Sequence, residues 1–160
     1  MRWPTTATHA NIFKALGRNP NILRAYLRLG TGLWRHCGLD LKTRELAILR
    51  SAFNTGSRYE WHQHVRIGRD AGLSDDEIRA VGDPQESSLF DERVKTLLGY
   101  VDALNAPSPP SDATFARMRD TWGEETTVGV TVLVPFYEMT AKFLAAMQVE
   151  PEEKFVGWAL

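Results

Sequence analysis

The sequence predicts an all-α fold of about seven to eight helices from three observations: capping residues recur ahead of apolar runs, apolar residues return at helical spacing, and the only β-branched stretch has no second strand to pair with. The chain has 160 residues, 43% of them hydrophobic and 10% aromatic. That is enough to bury a core without disulfides, so residues 1–160 are read as one domain.

The elements follow in order. A short helix over about 7–17 gathers Ile12, Phe13 and Leu16. Asn19 before Pro20 sets a capping side chain ahead of a proline at the first helical position, and the run to Trp34 brings Ile22, Leu23, Tyr26, Leu27 and Leu33 round at helical spacing. Asp40 caps a third helix reaching about Thr55, where Gly56 supplies the left-handed residue that commonly ends one. Ser57 and Glu60 stand at capping-box spacing and open a helix to Ala71, stopped by Gly72. Ser74 to Glu77 repeats the device for a short helix to about Val81, after which Gly82-Asp83-Pro84 begins a polar loop.

Val94, Leu97, Leu98, Val101 and Leu104 form one stripe of a helix over about 90–105, followed by the proline-rich spacer 106–110. Helices from Asp112 to Trp122 and from about Glu125 to Met147 complete the chain. Pro135 is expected to kink or split the last one.

A formal charge of -1 gives no excess basic field for phosphates or anionic lipid, so neither nucleic acid nor a membrane is an expected partner. No uninterrupted apolar run reaches the roughly 18 residues of a spanning helix, and the expected location is cytoplasmic. The single cysteine, Cys37, allows neither an internal disulfide nor a Cys-x-x-Cys pair, and it reads as inert packing.

Chemistry concentrates in the two central helices. Glu60 and His64 are four residues apart, about 40° in direction and about 6 Å in height on a helix, so both can address one small molecule. Their stripe continues as Ile67, Gly68 and Ala71, a small and apolar face on which burial raises a carboxylate's proton affinity. Glu45 shares the stripe of Leu41, Ile48, Leu49 and Ala52 in the preceding helix. A hairpin across Gly56 would let it orient His64; the competing reading pairs it with an arginine such as Arg44 or Arg50. For Glu60 the competing role is closure of the capping box. His62 would join Glu60 and His64 as a metal ligand only on a strand, so no metal is expected, and on a helix it joins Arg66 and Arg69 on a polar face.

The segment from Arg44 to Val81 resembles the carboxymuconolactone decarboxylase and alkyl hydroperoxidase D-like superfamily. Arg44 to Leu49, Asn54 to Glu60, His64 and Gly72 to Ile78 carry the likeness, with weaker flanks over Asn11 to Gly30 and Leu133 to Met147. The hydroperoxidase branch places two cysteines where this chain has Ser57 and Glu60, and neither replaces a redox thiol. The decarboxylase branch carries Glu-Leu-His-x-His, which Glu60-Trp61-His62-Gln63-His64 resembles.

The resemblance implies an all-helical trimer or hexamer with pockets built partly between subunits, acting without a cofactor on a small organic acid or lactone. His64 would be the acid, set by Glu60 and Glu45, with Tyr59, Trp61, Phe136 and Tyr137 as pocket wall. An arginine would hold a carboxylate. The alternatives are a non-catalytic oligomer binding a small apolar ligand, and a thiol-dependent peroxidase using Cys37. The terminal Trp3 and Trp158 are expected to gain shelter from association.

Overall fold

In the computed structural model, residues 10–158 are described. They form eight helices: α1 (Asn11–Leu16), α2 (Pro20–His36), α3 (Leu41–Asn54), α4 (Arg58–Asp70), α5 (Asp75–Ala80), α6 (Glu92–Asn105), α7 (Asp112–Trp122) and α8 (Glu124–Ala146). No strand occurs among the described residues.

The local punctuation works as its chemistry requires. The side chains of Asn19, Asp40, Ser57, Ser74, Asp91 and Ser111 each accept a hydrogen bond from a backbone N–H in the first turn that follows, satisfying donors no helix can satisfy itself. Gly56 and Gly72 take φ of 63° and 93°, the left-handed geometry that turns α3 into α4 and ends α4. The final helix runs unbroken through Pro135, whose ring sits on the exposed face. The expected split there does not occur.

Helices α3 and α8 organise the rest. α3 packs on α4, α6 and α8, while α8 also meets α2, α4 and α7. Leu46 and Leu49 of α3 join Trp61, Val65 and Ile78; Ala47 joins Leu97, Met118 and Val130; Ile48 joins Leu33, Leu133 and Tyr137. The middle of α3, Arg44 to Leu49, is buried throughout and cannot place a charge cheaply, which makes Glu45 within it conspicuous. α8 is long and apolar enough to cross a membrane by length and composition, and here its inward residues serve this core.

Close approach of α8 to the end of α2 depends on Gly129, where a Cβ would lie 2.4 Å from the Cys37 carbonyl oxygen. Cys37 itself is buried in that contact. Trp158 folds back on its own chain, edge-on to Phe53 and 5.4 Å from Trp61, so it needs no second subunit for shelter. Trp3 lies outside the described residues.

Candidate functional site

The α3–α4 hairpin sets Glu45 against His64. Nδ1 of His64 donates to Oε2 of Glu45 at 2.6 Å, and the Arg44 guanidinium donates to Oε1 of the same carboxylate through Nε at 3.2 Å and Nη2 at 2.9 Å. Both sequence readings of Glu45 therefore hold together: it pairs with an arginine and it orients the histidine. Arg44 is fixed in turn by donating to the Trp34 carbonyl at 2.7 Å and by lying over the Trp34 ring at 4.2 Å.

The other ring nitrogen, Nε2, faces Glu60 Oε2 at 3.6 Å. Ser57 accepts the Glu60 backbone N–H, yet no return bond from the Glu60 carboxylate closes a capping box, in contrast to the complete Ser74/Glu77 box one helix later. The Glu60 side chain is thus free of the capping task that would have explained it structurally.

Burial and charge divide the three groups. Burial works against the ionised Glu45, but His64 and Arg44 more than offset it and hold its carboxyl below the usual range. Burial disfavours charge on His64 as well; the facing carboxylates of Glu45 and Glu60 outweigh both burial and Arg44 and raise its proton affinity. Glu60 lacks an arginine. Burial, helped by the Glu45 charge and opposed by His64, pushes it up to about 7.

Glu60 and His64 open into a cavity of about 470 Å³ running between α1, α2, α4 and α8. Six aromatic side chains contribute to its wall: Phe13, Tyr26 and Trp34 from α1 and α2, Tyr59 from α4, Phe136 and Tyr137 from α8. Tyr137 meets the His64 ring edge-on at 5.1 Å and accepts a hydrogen bond from the Trp34 indole at 2.8 Å, so the ring that supports the histidine is itself fixed. Tyr26 lies 4.8 Å from Phe136 and bonds Thr140 at 3.1 Å.

Of the expected wall residues, Tyr59, Phe136 and Tyr137 line the cavity, and Trp61 does not. Trp61 has no exposed surface, packs with Leu49 and Val65, and donates its indole N–H to the Gly157 carbonyl at 2.8 Å. The helical angle explains this: position 61 points about 100° from position 60, toward the core. Phe13, Tyr26 and Trp34 went unassigned, because nothing local in the sequence ties α1 and α2 to α4.

His62 lines a polar groove with Arg66 and Arg69, as its helical position requires, but it is half-buried there beside Phe155, ring centroids 6.5 Å apart, with a buried Nδ1 lacking a hydrogen-bond partner. Among the described residues no group of three or more His, Cys, Asp or Glu converges as a metal site.

The model of the carboxymuconolactone decarboxylase family matches residues 20–103, and the chain belongs to that family. No curated protein matches it. Among solved structures it is similar to a protein of unknown function from Agrobacterium tumefaciens for which an AhpD-type antioxidant defence role has been suggested, at 23% identity and TM-score 0.81, covering 87% of this chain and 96% of that one. It is also similar to the debrominase Bmp8, both free and as a cysteine-to-alanine variant in complex with 2,3,4-tribromopyrrole, at 17% identity and TM-score 0.80, covering 89% of this chain and 77% of that one. These likenesses establish the AhpD-like helical fold.

Proposed function

We propose that the chain is a cofactor-independent enzyme that decarboxylates a small organic acid or lactone, or moves a proton on one, with Glu60, His64 and Glu45 as its catalytic group. The observation that carries this reading is the buried string Glu45, His64, Glu60, which ends in an aromatic cavity at a carboxyl whose proton is exchangeable near pH 7. Family membership and the size of the cavity support it.

In the decarboxylation, the bond from carbon to the leaving carboxylate breaks, CO₂ departs, and the electron pair passes into a conjugated or lactone carbonyl of the substrate. The Glu60 carboxyl, and not His64 as the resemblance implies, then gives its proton to that carbon, because burial keeps Glu60 protonated up to about pH 7, and His64 supports the resulting carboxylate through Nε2. Glu45 keeps the Nδ1 proton in place and stabilises the imidazolium. An apolar wall favours the step by withholding water from the departing charge. The proton on Glu60 returns from solvent through the cavity mouth.

Thiol chemistry finds no support, since the only cysteine is buried against α8 and does not line the cavity. The test is turnover of candidate carboxylated lactones by the wild type and by His64→Gln. Retained fold with turnover lowered about 10²–10⁴-fold supports the reading; unchanged turnover, or none by the wild type on any such acid, leaves a binding protein instead.

We also propose that the working unit is a homo-trimer or homo-hexamer. α8 exposes Val128, Val132 and Met139 along one stripe, and α2 exposes Ile22 and Leu29, a large apolar display for so small a chain.

A further inference from the structure

We infer that Arg66 is the residue that selects the ligand, by anchoring a carboxylate at the cavity rim while the reacting end lies at Glu60 and His64. This rests on the cavity's being the working site, as proposed above, and not on the reaction's being a decarboxylation.

Elimination leads to it first. Among the described residues lining the cavity, Arg66 is the only lysine or arginine. Arg44, nearest to the catalytic group, is committed to the Glu45 carboxylate and the Trp34 carbonyl behind the site and does not reach the lining. Arg69, one turn along the same helix, is paired with Asp75, and Arg79 with Asp76. Arg66 has no ion-pair partner among the described residues; its Nη2 donates to the Gln63 Oε1 at 3.2 Å, and Gln63 lines the same cavity and is held from the other end by Glu152. A guanidinium steadied by an amide, with its remaining donors unclaimed by any carboxylate, suits two-pronged binding of an anion.

The surrounding charge points the same way. The first 39 residues contain no Asp or Glu, while carrying Arg2, Lys14, Arg18, Arg24, Arg28 and Arg35. The overall charge of -1 conceals this segregation. The described part of that segment supplies the α1 and α2 wall of the cavity, and Lys14, Arg18, Arg24, Arg28 and Arg35 are exposed without an ion-pair partner among the described residues. The helices on one side of the cavity thus carry unpaired positive charge on their exposed faces, outside the lining itself, and this charge favours approach of anions over cations. Among the described residues the acids of the lining are Glu60 and Asp70, and Glu152 bonds Tyr59 and Gln63 of its wall.

Geometry fixes what the anchor does. Arg66 is six positions beyond Glu60, about 9 Å along the helix axis and about 120° round it, so the two side chains meet the cavity at separate places. A carboxylate on Arg66 therefore lies several bonds from the atom that meets Glu60, and it is retained through the reaction instead of leaving. The ligand class is an unsaturated or aromatic ring, matched to the aromatic wall, that carries one remote carboxylate.

The test is equilibrium binding, read by tryptophan fluorescence or calorimetry, of three probes sharing one ring: phenylacetate, neutral phenylacetamide and cationic phenethylamine. In the wild type, phenylacetate should bind at least about tenfold more tightly than either of the others in low salt, and about 0.5 M salt should narrow the gap. Arg66→Gln should remove about tenfold for phenylacetate and leave phenylacetamide unchanged, with Arg66→Lys between them. Exposed Arg66 is dispensable to the core, so matching circular dichroism is expected for all three proteins. Equal binding of the three probes, preference for the amine, an equal loss for acid and amide in Arg66→Gln, or no binding of any probe would each overturn the inference. Turnover is not read, so the result is independent of whether decarboxylation is the reaction.

Discussion

Nδ1 of His64 lies 2.6 Å from the carboxylate of Glu45, a residue with no exposed surface in the buried middle of α3. Arg44 shares that carboxylate, so two positive groups converge on one buried acid. Such a carboxylate is costly to remove, because both partners would be left charged and unpaired in the core.

Glu45→Gln, nearly the same shape without the charge, should therefore destabilise the fold by about 3–5 kcal/mol in urea unfolding. It should also lower the proton affinity of His64, whose charge Glu45 supports. A loss under about 1 kcal/mol would mean that Arg44 and His64 are satisfied without it.

Stability should fall as pH rises from about 5 to 9. The sign follows from linkage: Glu60 and His64 both hold protons more tightly folded than unfolded, so their contributions are complete below the ordinary values of 4.5 and 6.5 and are lost as pH climbs through the folded values, about 7 for Glu60 and above 6.5 for His64. Glu45 has the opposite sign, and its contribution is lost as pH falls below 4.5 through its lowered folded value. Glu60→Gln should remove the part of the decline between pH 4.5 and 7 and be more stable than wild type at about pH 8. Melting temperatures across this range check it; a wild type that grows more stable as pH rises through neutrality would contradict it.

Gly129→Ala tests the packing that positions the α2 wall. The added Cβ would meet the Cys37 backbone at 2.4 Å for oxygen and 2.7 Å for carbon, where no side chain can swing aside. Although alanine is the better helix former by about 1 kcal/mol, the clash should dominate and lower the melting temperature. A stabilised variant would show that α2 and α8 can separate freely.

Much of this was legible in the sequence, because capping is local chemistry. Asn19, Asp40, Ser57 and Ser74 mark their helices within a residue or two of where they begin. The Glu60/His64 stripe is equally local, being a matter of helical angle. Trp61, beside Glu60 in sequence, is separated from it by that same angle, which puts it with Val65 and Gly68 on the core face. Long-range partnerships were not legible: Trp34 supports Arg44 from ten residues away and Tyr137 from 103, and the cavity takes its wall from α1, α2, α4 and α8 together. Pro135 predicts a kink or a split, and α8 is not split: it carries the proline on its exposed face.

The proposed assembly has its own check. Light scattering at micromolar concentration should return three or six times the 18.1 kDa of one chain, and Val132→Asp should lower that mass by charging the exposed α8 stripe. A wild-type mass near 18.1 kDa would exclude both assemblies.

The central claim is that Glu60 is a buried acid holding an exchangeable proton near neutrality, and infrared titration of its carboxyl band tests this without a substrate. Between about pH 5 and 9 the wild type should lose one protonated-carboxyl band with a midpoint near 7, a band absent from Glu60→Gln and shifted to higher pH in His64→Gln, where the opposing imidazolium is gone. A Glu60 carboxylate already ionised at about pH 5, near the ordinary value of 4.5, would contradict the account.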